Sequence, residues 1–117
     1  MDKKKVLVIE DQVWQQDRWR DELGDRVEVL SASSIEEAEK LFSSNPDLAA
    51  IVVDACVPGN HPNTPPLVRK FRSTFVGPMI AVSTLESYRS QLVTAGCNHQ
   101  STKKLLPQTL LQILGEH

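Results

Sequence analysis

Short runs of apolar, mostly β-branched residues alternate with amphipathic segments along the whole chain. The first run, Val6-Leu-Val-Ile9, is continuously hydrophobic, which is typical of a strand buried on both faces. Further strands are predicted at residues 27–30, 49–53 and 79–82, and a short polar fifth strand at 99–102. This alternation predicts an α/β fold, in which crossover helices cover both faces of a parallel sheet.

The amphipathic segments predict five helices, one after each strand. The first covers residues 13–23 and ends at Gly24, and the fourth covers 85–95 and ends at Gly96, since glycine commonly follows a helix C-terminus. Ser33 or Ser34 caps the second helix, which ends before Asn45-Pro46, and Ser34 with Glu37 matches a capping box. The third begins near Pro65 or Pro66, and the fifth covers 107–114. The result is a three-layer (βα)5 doubly wound, flavodoxin-like sandwich with a five-stranded parallel sheet.

Length and charge narrow the class of protein. The chain has 117 residues, 40% of them hydrophobic, which predicts one domain over residues 1–117 with a core that needs no disulfide or structural metal. A net charge of −2 gives no electrostatic footprint for nucleic acid, and no apolar run is long enough to span a membrane. We expect a cytoplasmic protein, and we interpret His117 as the remnant of an expression tag.

Polar residues follow four of the predicted strands. Glu10 and Asp11 follow the first, Asp54 the third, Ser83 the fourth and Lys103 the fifth. Because the carboxyl ends of parallel strands meet at one edge of a sheet, we expect these side chains to lie together. Three clustered carboxylates repel one another unless a cation is present, and Mg²⁺ suits such a site. A carboxylate can also attack phosphorus and form an aspartyl phosphate. The ion, the lysine and the serine would then neutralise or hydrogen-bond the phosphoryl oxygens.

These strand ends resemble those of the receiver domain of two-component response regulators, the CheY-like superfamily, over nearly the whole chain. Four segments carry the resemblance in the family's order. They are Val-Leu-Val-Ile-Glu10-Asp11, Val-Val-Asp54-Ala-Cys-Val57-Pro58, Pro78-Met-Ile-Ala-Val-Ser83 and Ala95-Gly-Cys-Asn-His-Gln-Ser-Thr-Lys103.

The resemblance implies that Asp54 accepts a phosphoryl group from a phosphohistidine of a sensor histidine kinase or of a histidine phosphotransfer protein. Lys103 pairs with Asp54 before the transfer and with a phosphoryl oxygen afterwards, and Ser83 moves to hydrogen-bond the phosphoryl group. Such a domain catalyses its own phosphoryl transfer and dephosphorylation without being a turnover enzyme in the usual sense. The implied Mg²⁺ ligands are Glu10, Asp11, Asp54 and the backbone carbonyl of Cys56.

Two further positions bear on signalling. Gln100 stands at the switch position, where many members carry Tyr or Phe. In those members the aromatic ring reports phosphorylation to the output face, so in this chain that coupling is either absent or carried differently. Trp14 points away from the helix face shared by Trp19 and Leu23, which predicts a buried Trp19 and an exposed Trp14 beside the acidic pocket. We expect Trp14 to contact the phosphohistidine donor; the alternative is a surface aromatic lying on Lys or Arg stems.

Two other functions stay open at this point. A degenerate receiver would act as a constitutive protein-interaction module without phosphorylation, and Gln100 lends that alternative some support. A flavodoxin-like cofactor binder or hydrolase fits the topology, but the sequence lacks a Gly-rich phosphate loop and a Ser-His-Asp set at strand ends. For a receiver, the resemblance also implies an output surface, and a homodimer interface, on helix 4, strand 5 and helix 5.

Overall fold

Five parallel strands form one sheet in the computed structural model, which describes residues 3–57 and 61–116. The strands are β1 (Lys4–Ile9), β2 (Val27–Ala32), β3 (Ala50–Asp54), β4 (Met79–Val82) and β5 (His99–Ser101). Their order in the sheet is β2-β1-β3-β4-β5, so the direction of winding reverses between β1 and β3. The predicted five-stranded doubly wound sheet is confirmed, and the reversal marks the edge at which such sheets bind ligands.

A helix follows each strand, as predicted. The helices are α1 (Val13–Leu23), α2 (Ile35–Ser44), α3 (Pro65–Arg72), α4 (Glu86–Ala95) and α5 (Leu106–Leu114). The predicted bounds of α1 and β4 match, and most other bounds shift by one or two residues. For example, β1 begins at Lys4 rather than Val6, because Lys4 and Lys5 pair with Val27 and Glu28 of β2 in spite of their charge.

Two helix ends differ from the predicted motifs in detail. Ser34 Oγ accepts a hydrogen bond from the Glu37 backbone N–H at 3.1 Å, but Glu37 Oε1 accepts from the Ser33 N–H, one residue further back than a capping box requires. Gly24 ends α1 with a right-handed φ of −59°, and a Cβ there would lie 2.7 Å from the Arg20 carbonyl oxygen. Close approach, and not a left-handed turn, therefore explains this glycine. Gly96 does have a positive φ, of 144°.

The sheet is buried on both faces, as the continuous apolar runs predicted. Along β1, Val6 and Val8 face α1 and α5, whereas Leu7 and Ile9 face α2, α3 and α4. Trp19 lies fully buried in the cluster under α1 and α5, while Trp14 is 61% exposed, which confirms the predicted orientation of α1.

The register of the strands aligns their carboxyl ends. Ile9 pairs with Val53, Asp54 pairs with Val82, and Val82 pairs with Ser101. The residues that follow β1, β3, β4 and β5 therefore meet at one edge of the sheet. Among the described residues, none of the helices is long and apolar enough to cross a membrane. Pro58, which ends the motif that follows Asp54, lies outside the described residues, and so does His117, which we interpret as a tag remnant.

Candidate functional site

Three carboxylates meet at this edge. Glu10 and Asp11 directly follow β1, and Asp54 is the last residue of β3. One carboxylate oxygen from each lies within 4.8 Å of the other two. Glu10 is fully buried and Asp54 is 4% exposed, while Asp11 is half-buried at the rim. The structure therefore brings together the three acids that the sequence singled out.

Lys103 supplies the positive charge between two of these acids. Its Nζ donates to Asp54 Oδ2 at 3.2 Å and to Glu10 Oε1 at 2.8 Å. The contact with Asp54 was expected, but the shorter ion pair with Glu10 was missed. A signal for it exists in the sequence, because a glutamate reaches one methylene further than an aspartate at the same position.

Burial and charge perturb both partners of this ion pair. Burial, together with the neighbouring Asp54 carboxyl, raises the pKa of Glu10 from its ordinary value of 4.5 to about 8, against the opposing effect of Lys103. Burial lowers the pKa of Lys103, but its hydrogen bond to Glu10 and the charges of Asp54 and Glu10 outweigh that effect and raise it. The single positive charge of Lys103 thus does not fully compensate the negative charge of the clustered carboxylates.

The donor set fits a hard divalent cation. Oε2 of Glu10 is buried and has no hydrogen-bond partner among the described residues. Asp54 Oδ1 accepts a long contact, 3.5 Å, from the Cys56 N–H. Oxygen-only ligands with excess negative charge favour Mg²⁺ or Ca²⁺ over softer metals. Glu10, Asp11 and Asp54 could therefore hold such an ion.

An open cavity of about 320 Å³ lies over the carboxylates. It is lined by Asp11, Gln12, Asp54, Cys56, Ser83, Thr84, Leu85, Tyr88 and Lys103. Ser83 directly follows β4, is 6% exposed, and accepts a hydrogen bond from the Leu85 N–H on its Oγ at 3.2 Å. Ser83 thus holds the turn into α4 and also lines the cavity.

The segment after Asp54 is pinned by two side chains that the sequence patterns did not single out. The Thr64 hydroxyl, fully buried, lies 2.7 Å from the Asp54 carbonyl oxygen, to which it donates. The Asn63 amide bonds both the N–H and the carbonyl of Val57, each at 2.7 Å. The sequence signal for this role is the presence of an amide and a hydroxyl side chain in the loop, because such side chains commonly hydrogen-bond nearby backbone groups.

Gln100 is connected to the cavity through one side chain. It is exposed on β5, and its Oε1 accepts a hydrogen bond from Arg89 Nε at 3.2 Å. The same guanidinium donates from Nη1 to the Ser83 carbonyl oxygen at 2.7 Å. A polar link therefore joins position 100 to the backbone of Ser83.

Exposed apolar side chains surround the same edge. Val13 and Trp14 begin α1 and are 68% and 61% exposed. Leu85, after β4, is 50% exposed and Leu105, after β5, is 49% exposed. The exposed Trp14 thus belongs to a wider set of apolar residues on the segments that follow β1, β4 and β5.

No protein-family model matches the sequence, and no curated protein matches it either. Solved structures do match. A two-component response regulator from Clostridium difficile aligns with a TM-score of 0.81 at 17% identity over 97% of both chains. A CheY-like response regulator receiver domain protein from Methanospirillum hungatei gives 0.77 at 19% identity, covering 98% of this chain and 93% of that one.

A third structure is a response regulator protein from Burkholderia pseudomallei with a phosphorylated aspartic acid, a calcium ion and citrate. It aligns with a TM-score of 0.80 at 20% identity, over 95% of this chain and 66% of that chain. The chain therefore has the fold of response regulator receiver domains, which confirms the fold implied by the resemblance.

The raised pKa of Glu10 predicts how stability depends on pH in the metal-free protein. The folded chain binds this proton more tightly than the unfolded chain does. The stabilising contribution of protonated Glu10 is therefore complete below pH 4.5 and is lost as pH rises to about 8. We expect the free energy of unfolding, measured with urea and a chelator, to fall over this range in the wild type and to fall less in Glu10→Gln.

Glu28→Gln is the matched control, since Glu28 is an exposed glutamate on β2. It should keep the wild-type dependence. An identical pH dependence in Glu10→Gln and the wild type would contradict the electrostatic description of the site.

Proposed function

We propose that this chain is a cytoplasmic receiver domain, a signalling switch in which Asp54 accepts a phosphoryl group. The single observation that carries this proposal is the Lys103 ammonium, which bridges Asp54 and Glu10 beneath an open cavity and beside a carboxylate cluster that fits a divalent cation. A nucleophile, a fixed positive charge and a cation site within one cavity are the parts that phosphoryl transfer needs.

In the proposed reaction, a carboxylate oxygen of Asp54 forms a bond to phosphorus while the P–N bond to the donor imidazole breaks. The electron pair of that bond leaves with the imidazole, so the donor histidine is regenerated and Asp54 becomes an acyl phosphate. Lys103, already 3.2 Å from Asp54, pairs with a phosphoryl oxygen. Ser83, at the cavity wall, donates its hydroxyl to another. Hydrolysis of the acyl phosphate by water at the same site releases inorganic phosphate and returns Asp54 to its carboxylate.

Mg²⁺ is the proposed cofactor. Glu10, Asp11, Asp54 and the backbone carbonyl of Cys56 would hold it, and the bound ion would neutralise charge on the transferring group. The buried Glu10 Oε2, which has no hydrogen-bond partner in the described part of the chain, supports this assignment. The Burkholderia pseudomallei response regulator of the same fold carries a phosphorylated aspartic acid and a calcium ion, which is the same combination of chemistry.

The proposed output route begins at Ser83. If Ser83 moves toward the phosphoryl group, its carbonyl pulls on Arg89, and Arg89 in turn holds Gln100 on the outer face of β5. Gln100 would then serve as the switch position through a polar contact instead of an aromatic ring. The face of α4, β5 and α5 is the proposed surface for an output partner or a second copy of the chain.

The proposed donor is a phosphohistidine on a sensor kinase or a phosphotransfer protein. It must reach the cavity over the rim where Val13, Trp14, Leu85 and Leu105 are exposed. Large apolar side chains that surround a reactive site are suited to bury against a partner, and tryptophan is enriched among residues that dominate binding. We therefore assign Trp14 to the donor interface.

The first test uses a small phosphoryl donor. With acetyl phosphate and Mg²⁺, intact mass should show one added phosphoryl group on the wild type, and none on Asp54→Asn or without Mg²⁺. Asp25→Asn is the matched control, because Asp25 is exposed beside the opposite edge of the sheet. It should be modified like the wild type.

Absence of any adduct on the wild type would favour the alternative function, a constitutive interaction module. An adduct that persists in Asp54→Asn would mean that another group is the acceptor.

The second test concerns the partner surface. Trp14→Ala should slow transfer from a phosphorylated histidine phosphotransfer protein by about tenfold, the loss expected for an important interface tryptophan. Modification by acetyl phosphate should be unchanged, because that donor needs no protein contact. Val76→Ala removes an even more exposed apolar side chain, 95% exposed, just before β4, and should have no effect on either reaction.

Equal rates of protein-to-protein transfer in Trp14→Ala and the wild type would exclude Trp14 from the interface. Equal losses of rate with both donors would instead mean that Trp14 affects the phosphorylation site itself.

A further inference from the structure

Lys103 occupies a segment that the sheet and the helices do not hold directly. It lies two residues after β5, which is only three residues long, and three residues before α5 begins. Yet its ammonium must stay within 3.2 Å of two carboxylates on β3 and after β1. Within the segment, Thr102 Oγ1 accepts a hydrogen bond from the Leu105 N–H at 3.3 Å. A contact from outside the segment would fix the Lys103 backbone further, which matters because a catalytic group displaced by about 1 Å can lose on the order of 100-fold in rate.

Trp19 makes the contact that meets this need. Its indole Nε1 donates a hydrogen bond to the Lys103 carbonyl oxygen at 3.1 Å, across 84 residues of sequence. The ring itself is fully buried against Leu106 and Leu110 of α5 and against the sheet. A buried indole has one donor and no acceptor, so both its packing and its single hydrogen bond are used here.

The helix that carries Trp19 also begins beside the carboxylates. Asp11 lies two residues before α1, and Trp19 lies in the middle of the same helix. A helix is a rigid spacer, with a fixed rise per residue. It therefore sets the position of the Lys103 backbone relative to Asp11, which lines the same cavity.

We propose that Trp19 is a positioning residue for Lys103: its indole N–H anchors the backbone from which the Lys103 ammonium reaches Asp54 and Glu10. Trp19 is not among the residues that line the cavity, and it acts through the lysine. This inference rests on the proposed function, because the group that it positions is the one assigned to the phosphoryl oxygens.

The test removes the N–H donor and keeps an aromatic ring. Trp19→Phe should slow phosphorylation of Asp54 by acetyl phosphate about tenfold or more. In a Lys103→Ala background, the same substitution should have no further effect, because the carbonyl anchor then has no ammonium to position. Equal slowing in both backgrounds would overturn the proposal, since Trp19 would then act through another group.

Two variants separate this role from packing. Leu23→Val perturbs the same buried face of α1 but keeps the indole that donates to Lys103, and should lower stability but leave the rate unchanged. Replacement of Trp19 by benzothienylalanine keeps the shape of the ring and substitutes sulfur for the N–H group, so it covers the case in which Trp19→Phe fails to fold. A wild-type rate in that variant would overturn the proposal, as would a loss of rate in Leu23→Val that equals the loss in Trp19→Phe.

A second readout does not depend on phosphorylation. If Trp19 holds the ammonium on its carboxylates, Lys103→Ala should destabilise the Trp19→Phe protein less than it destabilises the wild type, measured by urea unfolding. Equal losses would overturn the positioning role. If the wild type accepts no phosphoryl group at all, the proposed function fails, and this comparison still decides whether Trp19 positions Lys103.

Discussion

The ammonium of Lys103, held between the buried carboxylates of Glu10 and Asp54, is the interaction on which the functional edge of this protein depends. Without it, two acids would be buried side by side with no compensating charge, which is among the most costly arrangements in a protein interior. With it, the cluster still carries excess negative charge, and a buried oxygen of Glu10 has no partner among the described residues. That imbalance is why the site suits a divalent cation and a transferable phosphoryl group.

The fold supplies this arrangement through register. The order β2-β1-β3-β4-β5 brings the ends of β1 and β3 side by side, and parallel pairing brings Asp54 level with the end of β4. The lysine alone comes from a segment beyond the last strand, and it is tied back by a hydrogen bond from the core tryptophan Trp19. Thr64, in the loop before α3, donates a hydrogen bond to the backbone carbonyl of Asp54. Arg89 of α4 donates one to the backbone carbonyl of Ser83. The reactive groups thus lie on rigid elements or are tethered to them.

Much of this was predictable from sequence because the strands are buried on both faces. Continuous apolar runs identify such strands, and the residues directly after them must lie at one edge, so the order of residues alone places Glu10, Asp54 and Ser83 together. The length of the Glu10 side chain is only an indirect sequence signal of its pairing with Lys103, and no sequence signal predicts the anchoring of Lys103 by Trp19. Both depend on how a loop outside the sheet folds over it, and neither hydrophobic periodicity nor residue spacing reports distances of that kind.

The most direct test of the central claim is chemical trapping of the modified residue. After incubation with acetyl phosphate and Mg²⁺, borohydride reduces an aspartyl phosphate to homoserine, and peptide mass spectrometry locates the reduced residue. We predict homoserine at position 54, formed only in protein that has received both the donor and Mg²⁺. A reduction product at another carboxylate, or none at any position in protein that has gained a phosphoryl group, would contradict it.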